Sequence, residues 1–404
     1  MKASLLLEHA SLHGMTRREA VELTAKAGVV GALARVGLRA QAASAGGVPA
    51  QAGRRTDSPG GFDDEMFDVE AVLGGAWDDT AFYRRGDQRG TFQEVTAGKT
   101  REALQVIDGK RPVATYNLGE PLFNGFPAFP SEPPRRYEQR LLILGYQPPP
   151  GYGGILQSPT PLGPNRISAH EERLHAFTYQ IGTQLDNLNH IGVGPVFYGG
   201  RRGPELAESS GTSSLGSESM GPIVTRGILL DVLGLKLARG ASDDLETAPN
   251  GAPHLAASYR VTLEDLEAAM RRARIKRIER GDVVLVRTGW NQLLDSQDPV
   301  YERYLRSEPG IFLREARWLA SHRPAIVGAD TWGLELVGAP VVGANVFPVH
   351  QELIAHFGIR IGEAIVLDRL AEDRVFEFVY IVTPQLAFGA TAGNTPPCAL
   401  GQPR

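Results

Sequence analysis

Apolar side chains along this chain gather in short unbroken runs separated by amphipathic stretches, and the two patterns predict different elements. Ile228-Leu229-Leu230-Asp231-Val232, residues 283–290 and residues 325–330 have no polar face, as expected of strands buried on both sides. Between them the spacing predicts helices. One starts at Thr262, with Glu264 and Asp265 in its first turn and Leu266 and Met270 on one side. Another covers residues 312–321, opened by Pro309-Gly310. Upstream, Thr96 caps a helix over 97–107 with apolar Ala103, Leu104 and Ile107, and residues 114–118 read as a strand ending at Gly119-Glu120-Pro121. Buried strands alternating with helices argue for an α/β fold.

Residues 180–190 break this pattern. Gln180, Gln184, Asp186 and His190 share one parity, while Ile181 and Leu185 occupy the other, so an extended segment would aim amide, carboxylate and imidazole at one point. That donor set suits a divalent cation with an adjacent base. A solvated edge strand with incidental polar residues is the alternative. Further on, His350 ends a loop over 341–349 and starts a helix over 351–357 closed by Gly358; Glu363 follows. Taken alone, His350 reads as a helix N-cap and Glu363 as a surface acid. Prolines and aromatics alternate over 124–130 and hold the rings of Phe126 and Phe129 at set positions. Residues 131–166 are rich in Pro and Gly and read as a long loop insertion, with Arg140, Tyr146 and Tyr152 inside it. The Ser/Gly-rich run 209–219 reads as a flexible loop.

Composition narrows the classes. The chain has 404 residues, 42% hydrophobic and 22% charged, with a formal charge of −4, which gives no reason to expect nucleic acid or an anionic membrane as partner. The basic residues over 271–277 suit the solvated carboxy-terminal half of a helix. No apolar run is long enough for a membrane span. A lone Cys398 excludes an intrachain disulfide and a cysteine metal cluster, and is expected to be a buried structural thiol. No Gly-x-Gly-x-x-Gly lies between a strand and a helix, and no Gly-x-Ser-x-Gly elbow follows a buried strand, which argues against dinucleotide chemistry and serine hydrolysis. Residues 1–45 carry Arg17-Arg18, an apolar stretch over 28–34 and Ala43-Ser44-Ala45, the layout of a twin-arginine export signal and hence of a periplasmic or secreted protein. An amphipathic helix of a cytoplasmic protein is the other reading. Residues 46–61 are linker-like, and 62–404 form the folded domain.

The 180–190 segment resembles the signature of the cyclase family, which includes bacterial kynurenine formamidase and isatin hydrolase and reads His-x-Gly-Thr-His-x-Asp-x-Pro-x-His. Gly182, Thr183, Asp186 and His190 are kept, while Gln180, Gln184 and Leu188 depart from it. Residues 226–232, 281–290 and 328–332 resemble further family blocks in the same order. The resemblance implies an α/β swivelling β/β/α domain, found as homodimers or homotetramers. It implies a metal-dependent hydrolase of a small amide, cyclic amide or lactone, in which Asp186, His350 and Glu363 hold the metal and His190 shuttles the proton. Gln180 and Gln184 would be weak neutral ligands, which points to one strong site for Mn²⁺ or Zn²⁺. Phe126, Phe129 and Trp332 would line the substrate pocket. Two other readings stay open: a metal-poor, non-catalytic small-molecule-binding protein on the same fold, and a metal-assisted lyase or isomerase.

Overall fold

The computed structural model describes residues 66–73, 86–294, 301–343 and 345–404; the export-signal and linker readings lie outside the described residues. In chain order the strands that matter here are β1 (Ala114–Asn117), β2 (Glu138–Leu144), β3 (Ile155–Ser158), β4 (Ala169–Ala176), β5 (Gln184–Asp186), β6 (Ile223–Asp231), β7 (Val283–Arg287), β8 (Ile326–Ala329), β9 (Arg360–Glu363), β10 (Glu377–Val382), β11 (Ala392–Gly393) and β12 (Cys398–Gly401). Nine of them form one mixed sheet in the order β1-β12-β10-β6-β7-β8-β9-β5-β11.

The centre of that sheet, β6 to β9, is parallel, because helices return the chain between successive strands. Helices α1 (Ala97–Leu104), α2 (Val232–Arg239), α3 (Leu263–Ala273), α4 (Tyr301–Arg306) and α5 (Leu313–Ser321) are joined by a turn of α-helix, Pro348–His350, that continues as a π-helix, Gln351–His356. Their ends are written in the sequence. Thr262 and Asp265 exchange side-chain and backbone hydrogen bonds at 3.2 Å to start α3, and Thr96 accepts from the Lys99 amide at 3.2 Å to start α1. The core falls where the continuous apolar runs lie: Leu229, Val284, Leu285, Ile326, Val327 and Ile361 are completely buried. Mixed α/β architecture is therefore observed as expected.

Several expectations need correction. Only Gln184–Asp186 of the 180–190 segment is strand. Gly182, at φ +61°, bends the chain before it, and the His190 amide donates to the Asn187 carbonyl at 3.0 Å in a turn after it. Nor is β5 a solvated edge, since β9 and β11 flank it and all three of its residues are buried. The Pro/Gly-rich insertion is not a bare loop: its strands β2 and β3 pair with each other, and β2 also pairs with β4, which follows the insertion, to make a three-stranded sheet. Its last strand escaped notice because six of its eight residues are exposed and their charges do not alternate with apolar positions. The 209–219 run is packed, with Leu215 and Ser217 fully buried and the Ser217 hydroxyl donating to the Ala387 carbonyl at 2.8 Å. Pro309-Gly310 does not open α5; Gly310 bridges to Arg260, and the Glu315 carboxylate takes the Phe312 amide at the true helix start. Within the 271–277 run, Arg272 is not simply solvated but pairs with Asp231 at 3.0 Å. Cys398 is half-buried rather than enclosed.

Candidate metal centre

Parallel strands deliver their polar termini to one edge of a sheet, where ligands of open α/β folds usually sit. Here Asp231, Asp330 and Glu363 stand at or just beyond the carboxy-terminal ends of β6, β8 and β9. Antiparallel pairing places Gln184 of β5 directly opposite Glu363, so Gln184, Asp186 and Glu363 share a face. The loop after β8 adds Glu335, and the helical turn before β9 adds His350.

These residues converge. His350 Nε2 lies 3.0 Å from Glu363 Oε1 and 3.6 Å from Asp186 Oδ2, and one ligand atom from each of the three lies within 4.8 Å of the others. All three are buried, Asp186 completely. On the far side of the ring, His350 Nδ1 meets Glu335 Oε1 at 2.5 Å, and the same carboxylate accepts the Val349 and His350 amides at 3.1 and 3.0 Å. Burial opposes a charge on the ring, but the adjacent carboxylates Asp186, Glu335 and Glu363 together hold the His350 pKa well above the ordinary imidazole range. Glu335 keeps the Nδ1 proton in place, so that a cation displacing the Nε2 proton would find that nitrogen aimed at Asp186 and Glu363. The N-cap and surface-acid readings of His350 and Glu363 are thereby excluded.

Gln180 and Gln184 fill the remaining side. Gln180 Nε2 donates to Asp186 Oδ1 at 3.1 Å, Gln184 Nε2 to Gln180 Oε1 at 2.9 Å, and Gln184 Nε2 also contacts Glu363 Oε2. Asp186 Oδ2 and Gln184 Oε1 remain buried with no hydrogen-bond partner. Two buried acceptors without donors, one of them beside the converging His350 and Glu363, form an arrangement that a cation would satisfy. The donor set fits a divalent ion: two carboxylates, one imidazole, and an amide oxygen in reserve.

His190 reaches Asp186 Oδ2 at 3.7 Å across the turn, not along a strand, and its side chain is 16% exposed. Burial, only partly opposed by the Asp186 charge, holds its pKa below the ordinary imidazole range, so it is neutral at pH 7 with a lone pair available. Burial followed by the Asp186 charge raises Glu363. Asp186 itself is lowered, because the attraction of the nearby His190 and His350 rings outweighs its burial.

Backbone strain marks the same region. Leu334, Phe347 and Ala364, each beside or a few residues from Glu335, His350 or Glu363, have left-handed φ of +62°, +52° and +47°. Such residues cost roughly 1 kcal/mol or more apiece and persist where surrounding contacts fix them. For Ala364 those contacts are its amide to the Thr331 carbonyl at 2.7 Å and its carbonyl to the Thr183 hydroxyl at 2.6 Å.

The predicted pocket aromatics also meet here. Phe126, Phe129 and Trp332 line a cavity together with Gln180, Gln184 and Glu363; Phe129 packs on Trp332 at 5.3 Å and on Phe347 at 5.4 Å. Sequence reasoning missed Glu335, Glu308, Tyr304 and Arg135. Glu308 is completely buried, raised well above the carboxylate range by burial and then by Glu363, and accepts the Trp332 amide at 2.8 Å. For Glu335 a signal existed: a lone acid between Leu334 and Leu336 in an otherwise apolar loop.

The Cyclase family model matches residues 116–336. Among solved structures, the crystal structure of a novel cyclase is 26% identical and superposes with a TM-score of 0.63, covering 78% of this chain and 95% of that one. Isatin hydrolase A from Ralstonia solanacearum is 15% identical with a TM-score of 0.47, covering 72% of this chain and 92% of its own. No curated protein matches the chain. No helix among the described residues is long and apolar enough to cross a membrane.

Proposed function

The chain belongs to the Cyclase family, and from that premise we propose that it is a metal-dependent hydrolase of a small amide, cyclic amide or lactone. The observation that carries this reading is the convergence of Asp186, His350 and Glu363, buried with ligand atoms within 4.8 Å of one another, on an Asp186 Oδ2 that accepts no hydrogen bond and lies 3.6 Å from His350 Nε2. Asp186, His350 and Glu363 would hold one Mn²⁺ or Zn²⁺, with Gln184 as a weaker neutral donor. A divalent ion in such a site supplies Lewis-acid polarisation of a carbonyl and a more acidic water.

The rest falls to the protein. Glu335 holds His350 in the tautomer that binds. Neutral His190, partly exposed at the rim, takes a proton from the attacking water and returns it to the leaving nitrogen or oxygen, a role usually worth roughly 10² to 10⁴ in rate. Because its pKa is depressed, turnover fails on the acid side only below the usual imidazole range. Phe126, Phe129 and Trp332 exclude water around a flat substrate. Homodimers or homotetramers, and export through residues 1–45, belong to the same reading.

The test is elemental analysis of purified protein together with turnover on a panel of formamides and lactones. Near-stoichiometric metal is expected, with a ring-opened product one water heavier than a lactone substrate and, from a formamide, an amine and formate whose masses sum to substrate plus one water. Protein that takes up neither Mn²⁺ nor Zn²⁺ and turns nothing over is a binding protein instead, and a product of unchanged mass makes it an isomerase.

A further inference from the structure

Arg135 contrasts with the partly buried arginines that are paired with acids. Arg226, Arg260, Arg272 and Arg287 each meet a carboxylate within 3.1 Å. Arg135 is half-buried, lines the aromatic cavity beside Glu363, and among the described residues makes no ion pair and no hydrogen bond. Its guanidinium carbon lies 5.7 Å from the centroid of the Phe129 ring. It lines the same cavity as Gln180, Gln184 and Glu363. A guanidinium whose N–H groups have no acceptor in a partly desolvated cavity is a recognition group for an anion, since its planar fork matches a carboxylate.

The segment carrying it is built to yield. Between residues 127 and 136 the described backbone makes no backbone-to-backbone hydrogen bond, and Pro127, Pro130, Pro133 and Pro134 have no amide hydrogen to give. The cavity beneath is 20 Å³, room for about one water. A ligand therefore enters by displacing this strap, which carries Phe129 and Arg135 on the outer side, against an inner wall that includes Trp332 and Tyr304. The inner wall is anchored, since the Tyr304 carbonyl accepts the indole N–H groups of Trp290 and Trp332 at 3.2 and 2.7 Å.

We infer that Arg135 selects substrates that carry a carboxylate on a flat aromatic or heteroaromatic ring, the ring lying between Phe129 and Trp332 and the carboxylate on the guanidinium. This inference rests on the hydrolase reading for the identity of the cavity, but its test does not need turnover.

Benzoate and benzamide are titrated into full-length wild type, Arg135→Ala and Arg135→Lys, with calorimetry and tryptophan fluorescence as readouts and metal content measured on the same samples. Benzoate is expected to bind wild type at least about tenfold tighter than benzamide and to lose at least about tenfold in Arg135→Ala. Arg135→Lys should recover part of that loss, and benzamide should change by less than about threefold throughout. Equal binding of the two ligands by wild type, no benzoate binding, or benzoate binding unchanged in Arg135→Ala because the carboxylate sits on the cation alone would each overturn the inference. Samples that hold metal but show no anion preference defeat this inference only; samples that refuse Mn²⁺ and Zn²⁺ yet show the Arg135-dependent preference defeat only the hydrolase reading.

Discussion

Two completely buried aspartates, Asp282 and Asp186, show how differently the same side chain is used at opposite ends of one sheet. Asp282, just before β7, is surrounded by donors: Lys99 Nζ at 2.7 Å, Arg226 Nη2 at 2.6 Å and the Glu279 amide at 2.7 Å. Its charge is matched by two cations and its oxygens are occupied. Asp186, in β5, receives one amide hydrogen bond from Gln180; its other oxygen accepts none and faces the His350 and His190 rings at 3.6 and 3.7 Å, and the neighbouring Glu363 is an acid like itself. The first arrangement is complete as it stands. The second rests on imidazoles that can give up their protons and leaves an oxygen without a hydrogen bond, where a cation could be taken up, and that difference separates a structural acid from a binding one.

The comparison is broken most sharply at Asp186. Asp186→Asn should abolish turnover and strip the metal while lowering the thermal stability of the metal-free protein only modestly, because the attraction to His190 and His350 is lost together with the repulsion from Glu363; elemental analysis and a melting curve check both halves. Asp282→Ala should do the converse. With Lys99 and Arg226 left facing a void, unfolding in denaturant should show a loss of about 3–5 kcal/mol, and any protein that folds should still take up metal.

Smaller effects sharpen the picture. His190→Ala is expected to lower turnover roughly 10² to 10⁴-fold with metal content unchanged; loss of metal in that variant would make His190 a ligand. Glu335→Gln should weaken metal affinity by roughly 10 to 100-fold, measured by competition with a chelator, because the imidazole loses the group that fixes its tautomer. Glu308 gives the mildest signal. Its folded pKa lies above the unfolded value, so the folded state holds a proton that the unfolded chain releases. That contribution is full below the unfolded carboxylate pKa and fades as pH rises towards the folded one, by at most about 1.4 kcal/mol per pH unit. Glu308→Gln should flatten this part of the stability profile, and an unchanged slope would contradict the buried, protonated acid.

How far the residues spoke for themselves depended on whether their partners were near in the chain. Helix caps at Thr96 and Thr262 were legible because capping is settled within one turn. The buried strands β6, β7 and β8 were legible because burial on both faces demands unbroken apolar runs. Strand β10 carried the same signal, Phe378 to Val382, and was passed over; β12, at the chain's end, is too short for a pattern to emerge. Among the functional positions, Asp186, His350 and Glu363 were named through family motifs, and the aromatics through the proline pattern beside them.

What sequence by itself determined, then, was the α/β layering, the local caps and the kinds of side chain available for chemistry. Tertiary structure alone decided their meeting. Parallel strands brought Glu363 and Asp330 to one edge, antiparallel pairing set Gln184 against Glu363, and a turn rather than strand alternation carried His190 to Asp186. It also decided which acids lack a counter-charge, because charge balance is a property of neighbours in space, and Glu335, Glu308 and Arg135 have their consequential neighbours far away along the chain.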